Sequence, residues 1–383
     1  MRAGIATYDP FLSMNGNDSQ ALDPHEVEVS RQMERQRALR EATRRLDEED
    51  QTRSLVIPPS TFSLAEELAI EEPPLAWTVG GLHPTGANTL LAAQFKVGKT
   101  TLGLNLLRSL VDGAMFLGER PVARPEGRVA YWNYEVSDRQ FRKWLREADV
   151  KRPEDAAVWN LRDYRLPLTS AVGEDLAVRW LQERQVSVLI VDPFSRAYGG
   201  EENSNTEVGY FLEALDVIKR RADVTDLFMA AHFGRGGQEE GEEHARGATR
   251  LDDWADVRWL YRKASTGNPS PRYFRADGRD VFMDECRLDY DEASRKLWIA
   301  GGSLKEDTAH GHLMEVLRTC RDSPGILKTP LKETISSKAD RRSKYVSDAV
   351  SIGYVRVEED GPQRLKHYLT DKGEAFMRGH NEA

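Results

Sequence analysis

The segment Ala93 to Thr101 (AQFKVGKTT) constrains this chain more than any other stretch. It joins an apolar run, Thr89 to Ala93, to an amphipathic run, Thr100 to Val111, through a short loop ending in Gly-Lys-Thr. Strand, loop and helix in that order bring backbone N–H groups and a helix N-terminus around one point, which is a cradle for phosphates. Gly98 lets the backbone curl, Lys99 is placed to reach β- and γ-phosphates, and the Thr100 hydroxyl is a ligand for Mg²⁺. Ala93, Gln94, Phe95, Lys96, Val97, Gly98 and Thr101 complete the expected cradle. One position departs from G-x-x-x-x-G-K-[ST]: Ala93 stands where that pattern has its first glycine. Alanine accepts a normal strand-end conformation, so a slightly altered loop entry is expected, with ATP and Mg²⁺ as ligands.

Such a cradle needs acidic helpers at the carboxyl ends of neighbouring strands, because that sheet edge faces the nucleotide. VSVLIVD ends on Asp192, placed to hold a Mg²⁺-bound water, and RVAYWNYE places Glu135 just past another strand, where it can polarise an attacking water. LFMAAH ends a third strand on His232, in position to sense a γ-phosphate. Beyond a Gly/Glu-rich loop lies Arg246, a candidate arginine finger for the ATP of an adjacent subunit, with Arg250 as the alternative. The bland readings are a helix-capping acid, a structural histidine and a surface arginine.

Apolar strands alternate with amphipathic helices at Arg128 to Asn133, Asp138 to Ala148, Val186 to Val191, Thr206 to Arg221 and Asp226 to Ala231. That alternation predicts an α/β fold with a mostly parallel sheet between helices. A strand-rich tail, Arg272 to Ile299, closes it, so residues 59–304 read as the nucleotide-binding domain. Residues 1–58 read as a charged helical or partly disordered segment, solvated or docked on a neighbouring subunit. A capping box at Ser63 and Glu66 opens a short helix, Ser63 to Ile70.

Residues 305–383 read as a separate unit of three helices and a hairpin around Asp360-Gly361, the pattern of a winged helix-turn-helix. Its candidate DNA contacts are Lys338, Arg341, Arg342 and Lys344, within a basic stretch that also holds Lys328 and Lys332 against Glu333 and Asp340. Arg356, Arg364, Lys366 and His367 extend that candidate surface along the wing. A net charge of −9 excludes an all-round basic coat, so any nucleic-acid contact is local. The chain has two cysteines, which support neither a disulfide framework nor a metal cluster. With no apolar stretch of membrane-spanning length and no signal-peptide layout at the N-terminus, a cytoplasmic protein is expected.

With these residues assembled, the chain resembles the RecA-fold hexameric helicases of the RepA and DnaB kind, and more closely the RepA-like AAA-type ATPases of phages and plasmids. The ordered set is AQFKVGKTT, VAYWNYEVSDRQF, VLIVDPFSRAYGGEENSNTEV, LFMAAHFGR and ARGATRLDDWADVRWLY. The resemblance implies Glu135 as catalytic base, Arg246 as a finger acting in trans, and His232 coupling nucleotide state to DNA-facing loops. It implies a ring, usually of six subunits, with single-stranded DNA in the bore. The run Glu201 to Asn203 also resembles the RepA loop after the second acidic strand, with its role left open. A regulator or loader that binds duplex DNA through the C-terminal unit, and an ATPase docked to a protein through its N-terminal helix, are the alternatives.

Overall fold

The computed structural model describes residues 63–202, 204–232, 249–264, 270–361 and 364–381, together with positions 31–33, 35, 38, 41 and 42. The chain divides at Ile70 into two units. In the first, the described positions between 31 and 42 are helical. Helix α1 (Leu64–Leu68) follows Ser63, whose Oγ accepts the Glu66 amide at 3.2 Å.

The second unit is organised by a nine-stranded sheet, after a small β1 (Trp77–Val79) and β2 (His83–Pro84) ribbon. Its strands are β3 (Asn88–Ala93), β4 (Arg128–Asn133), β5 (Ala156–Asn160), β6 (Val186–Asp192), β7 (Asp226–His232), β8 (Val257–Lys263), β9 (Arg272–Gly278), β10 (Phe282–Tyr290) and β11 (Leu297–Ile299). They lie in the order β11-β10-β9-β8-β3-β7-β6-β4-β5. From β8 to β5 every pairing is parallel, and β9 to β11 add on antiparallel. The mostly parallel α/β core expected from the alternation of elements is therefore present.

Helices α2 (Lys99–Asp112) and α3 (Asp138–Ala148) cover one face; α4 (Ala171–Glu183) and α6 (Asn205–Arg221) cover the other, with the short α5 (Phe194–Tyr198) between them in sequence. Adjacent strand residues point to opposite faces, so Leu90 joins Trp132, Leu181 and Phe211, whereas Leu91 joins Leu102, Tyr131 and Phe141. Both faces being apolar explains why β6 reads as a continuous hydrophobic run. Ser137, Ser170 and Ser204 cap α3, α4 and α6 by accepting amides of the first turn.

The short α7 (Arg250–Trp254) precedes β8. After β11 comes α8 (Leu304–Asp322), opened by a full capping box between Ser303 and Glu306. That cap starts the helix well before its buried apolar half, Met314 to Cys320. Then follow β12 (Ile326–Leu327), α9 (Lys328–Glu333), α10 (Ala339–Ser351), β13 (Val355–Glu359), β14 (Leu365–Leu369) and α11 (Asp371–Asn381). Their core gathers Leu317, Cys320, Leu331, Val346 and Val355. One expected contact residue is corrected: His367 is buried, with Nδ1 3.2 Å from the Ile326 carbonyl, so it joins β14 to β12 and is not a surface group. Among the described residues no helix is long and apolar enough to cross a membrane.

Candidate nucleotide site

Ala93 is the last residue of β3, fully buried and paired with His232 on one side and Tyr261 on the other. The position expected to hold a glycine is thus sheet, and the turn begins after it. The Gln94 amide donates to the Tyr261 carbonyl at 3.1 Å, and Gln94 Oε1 accepts the Lys263 amide at 3.0 Å. Phe95 and Lys96 stand exposed at the loop tip. Gly98 has φ +107°, a conformation that glycine adopts without steric cost, and α2 starts at Lys99. The amides of that first turn have no intrahelical partner and face the loop, which concentrates positive potential there.

The neighbouring strands deliver the acids. Asn133 of β4 and Asp192 of β6 are paired in register at the carboxyl edge. The Thr100 hydroxyl donates to Asp192 Oδ2 at 2.7 Å, and the Tyr131 hydroxyl donates to the same oxygen at 2.7 Å. Asp192 Oδ1 is buried without a hydrogen-bond partner. Burial raises the Asp192 pKa, against hydrogen bonds from Tyr131 and Thr100 and the charge of Lys99. Burial likewise lowers that of Lys99, while the Asp192 and Glu135 charges oppose the shift.

Glu135 is exposed on a bend just past β4. Asn133 shapes that bend: its Oδ1 accepts the Val136 amide at 2.9 Å, and its Nδ2 donates to the Val136 carbonyl at 2.7 Å and to Asn160 Oδ1 at 3.0 Å. The Tyr134 amide donates to the Asp192 carbonyl at 2.9 Å, tying the bend to the next strand. On the other flank, Lys99 Nζ lies 3.0 Å from His232 Nδ1 and 3.3 Å from Nε2. Lys99, Thr100, Asp192 and His232 therefore meet at one place, with the Glu135 charge felt by both Lys99 and Asp192.

Arg246 and Asn203 lie outside the described residues. Arg250 opens α7 and runs beside α6, its Nε 3.5 Å from where a Cβ on Gly209 would stand. Glu201 is exposed, and its carbonyl accepts the Tyr198 hydroxyl at 3.2 Å. Near the C-terminus Lys338, Arg341 and Lys344 are exposed, while Arg342 Nε donates to the Ser337 carbonyl at 2.8 Å.

The residues fit a magnesium–nucleotide ligand. Gly98 leaves the loop open, and the orphaned Asp192 Oδ1 beside the Thr100 hydroxyl is a place for a hydrated cation. Among the described residues no group of three or more His, Cys, Asp or Glu side chains is placed to hold a metal ion by itself. Sequence reasoning missed Tyr131 and Asn133. Their signal was position: they occupy alternate residues of the strand leading to Glu135 and so share one face at the nucleotide edge.

Residues 51–238 match a family model described as an AAA domain. No curated protein matches the chain. Among solved structures, a KaiC-like protein from the hyperthermophilic archaeon Pyrococcus horikoshii is similar, at 11% identity and a TM-score of 0.44, over 59% of this chain and 99% of that one.

Proposed function

We propose that this chain, whose core is a P-loop ATPase domain, hydrolyses Mg-ATP to drive a motor on DNA, in the manner of a RepA-like replicative helicase. The observation that carries the reading is the convergence of Lys99, Thr100, Asp192 and His232 from three adjacent strands at the mouth of a left-handed Gly98 turn. In this reading Lys99 exchanges its contact with His232 for the β- and γ-phosphates, and His232 is left to report whether the γ-phosphate is there. Thr100 and Asp192 would hold Mg²⁺, which would supply charge neutralisation to the phosphates. Glu135, exposed and held by the Asn133 bend, accepts a proton from the attacking water. Arg246 completes the site of an adjacent subunit in a homo-oligomeric ring, a hexamer by resemblance, with single-stranded DNA in its bore.

A second reading is supported by the C-terminal unit, which we take as a winged helix. Arg341 and Lys344 are three residues apart on α10 and both exposed, so they share a helix face suited to duplex DNA. ATP then acts as a switch for a site-specific regulator or loader.

Strand separation on a forked substrate, with ATPase measured alongside, tests the first reading against the second. Lys99→Ala abolishes nucleotide binding, and Glu135→Gln keeps binding while slowing hydrolysis by roughly 10²–10⁴-fold. Normal turnover by Glu135→Gln removes it as the base. Duplex binding with slow hydrolysis and no unwinding selects the regulator.

A further inference from the structure

The last residue of the phosphate loop is gripped from an unexpected direction. Thr101 Oγ1 accepts a hydrogen bond from Arg295 Nη2 at 2.6 Å, and Arg295 belongs to the turn between β10 and β11. Its guanidinium lies 4.3 Å over the Trp144 ring of α3 and Nη1 is 3.6 Å from Glu147. The side chain is only 15% exposed, and its Nε is buried without a partner. The turn is fastened to α2 by Asn105, whose Nδ2 donates to the Arg295 carbonyl at 2.8 Å and whose Oδ1 accepts the Leu297 amide at 3.0 Å.

A second orphan lies close by. Tyr261 Oη is buried and unpartnered, 4.0 Å from where a Cβ on Gly98 would stand, with Thr101 Oγ1 3.7 Å from the same point. Glu135 follows β4 and Asp192 and His232 end β6 and β7, whereas Tyr261 lies on β8 and Arg295 in the turn between the tail strands, across β3 in the sheet order. The reacting phosphate has its partners on one flank. The other flank holds a largely covered guanidinium whose one acidic neighbour, Glu147, is 3.6 Å away and whose Nε has no partner, so a further negative group there would be well matched.

We infer that Arg295 is a nucleotide-binding residue, engaging the α-phosphate at Thr101 while Lys99 and Thr100 hold the β- and γ-phosphates. The inference rests on the nucleotide reading above. The stack on Trp144 and the hydrogen bond to Thr101 hold the guanidinium fork in place before the ligand arrives, so little rotamer freedom is lost on binding. Because ADP and ATP share the α-phosphate, Arg295 serves both equally, unlike a residue that reads the γ-phosphate.

Calorimetric titration of the full chain with Mg-ADP and with a non-hydrolysable Mg-ATP analogue tests this, with melting temperatures of the ligand-free proteins measured in parallel. Arg295→Gln loses the charge and, two bonds shorter, ends before Thr101; it is expected to bind both nucleotides roughly tenfold more weakly, by the same factor. Arg295→Lys, which restores the charge, recovers most of that loss. Unchanged affinity in Arg295→Gln, a loss confined to the ATP analogue, or equal losses in both variants with lowered melting temperature would each overturn the assignment. Wild-type protein that binds neither nucleotide instead overturns the nucleotide reading itself.

Discussion

Tyr131 donates its hydroxyl to Asp192 Oδ2 at 2.7 Å, from inside the core and onto the oxygen that Thr100 reaches from the phosphate loop. Burial and the nearby carboxylates push the Tyr131 pKa well above its usual value, so tyrosine is the donor and aspartate the acceptor. Burial also raises the pKa of Asp192, and the Tyr131 bond is among the effects pulling it back. Removing that donor with Tyr131→Phe makes the anion costlier and raises the Asp192 pKa further. The acid limb of the Mg-ATPase pH profile is therefore expected to move to higher pH, with little change on the basic side. A profile superimposable on that of the wild type would show that Tyr131 does not tune Asp192.

Gly103 gives Tyr131 its place. A Cβ at Gly103 would lie 2.9 Å from Tyr131 Oη and 3.3 Å from Cε2. In an open helix, Gly→Ala gains about 1 kcal/mol of helix stability. Here the added methyl meets a fully buried ring pinned to Asp192, and overpacking of that kind costs about 1–3 kcal/mol. Gly103→Ala is expected to lose stability in denaturant titration and to weaken Mg-ATP binding, because the displaced hydroxyl no longer supports Asp192. A net gain in stability would mean that the ring relaxes freely.

Much of this architecture was legible in the sequence because it was local. The helix Asp138–Ala148 and the strand Arg128–Asn133 match their expected bounds, since the Ser137 cap and the apolar pattern mark their ends. Lys99, Thr100, Asp192 and His232 could be singled out as candidates because each sits at a strand end or a helix start, positions that a linear pattern marks. The strand Ala156–Asn160 and the helix Ala171–Glu183 were passed over: the strand is a half-buried edge, and its five residues carry no alternation to read. Val257–Lys263 was missed because Arg258 and Arg262 interrupt its apolar residues, yet they pair with Asp277 and Glu285 across the antiparallel tail. Arg295 had no sequence signal, because its contact with Thr101 spans 194 positions and depends on the path of the tail over α2.

A buried polar network at the opposite edge of the sheet links stability to pH. Asp226 Oδ1 receives His83 Nε2 at 2.8 Å, the Gly86 amide at 2.9 Å and the Thr78 hydroxyl at 3.1 Å, while the Thr225 hydroxyl reaches Oδ2 at 2.6 Å. Burial lowers the His83 pKa and keeps the ring neutral, with Nδ1 2.6 Å from Thr89 Oγ1. Burial pulls Asp226 upward, but its donors outweigh that and hold it below the usual carboxylate range. The unfolded chain protonates His83 near pH 6.5 while the folded chain resists, so stability is full above about pH 6.5 and falls as pH drops below it. The Asp226 contribution follows, present above about pH 4 and lost below. Urea titrations at pH 7 and pH 5 are expected to show this loss, and His83→Gln should be weaker at pH 7 but flatter between the two. An equally steep dependence in His83→Gln would place the titrating group elsewhere.

The C-terminal helices and hairpin carry two basic surfaces that ionic pairing separates. Along the hairpin, Arg356 pairs with Glu358 and stacks over Tyr368, and Lys366 pairs with Asp360 at 2.6 Å, which raises the lysine pKa and lowers that of the acid. Breaking either pair to reach a phosphate forfeits an interaction already made, so these charges contribute little net attraction. On α10, Arg341 and Lys344 are exposed, and their helix carries acids at Asp340 and Asp348 only. If this unit binds duplex DNA, Arg341→Ala with Lys344→Ala is expected to weaken binding and to reduce the slope of log affinity against log salt by about 2, near 0.9 for each lost phosphate contact. Arg356→Ala with Lys366→Ala should leave that slope almost unchanged. Fluorescence anisotropy across a salt series reads both, and a larger loss from the hairpin pair than from the α10 pair would move the binding surface to the wing.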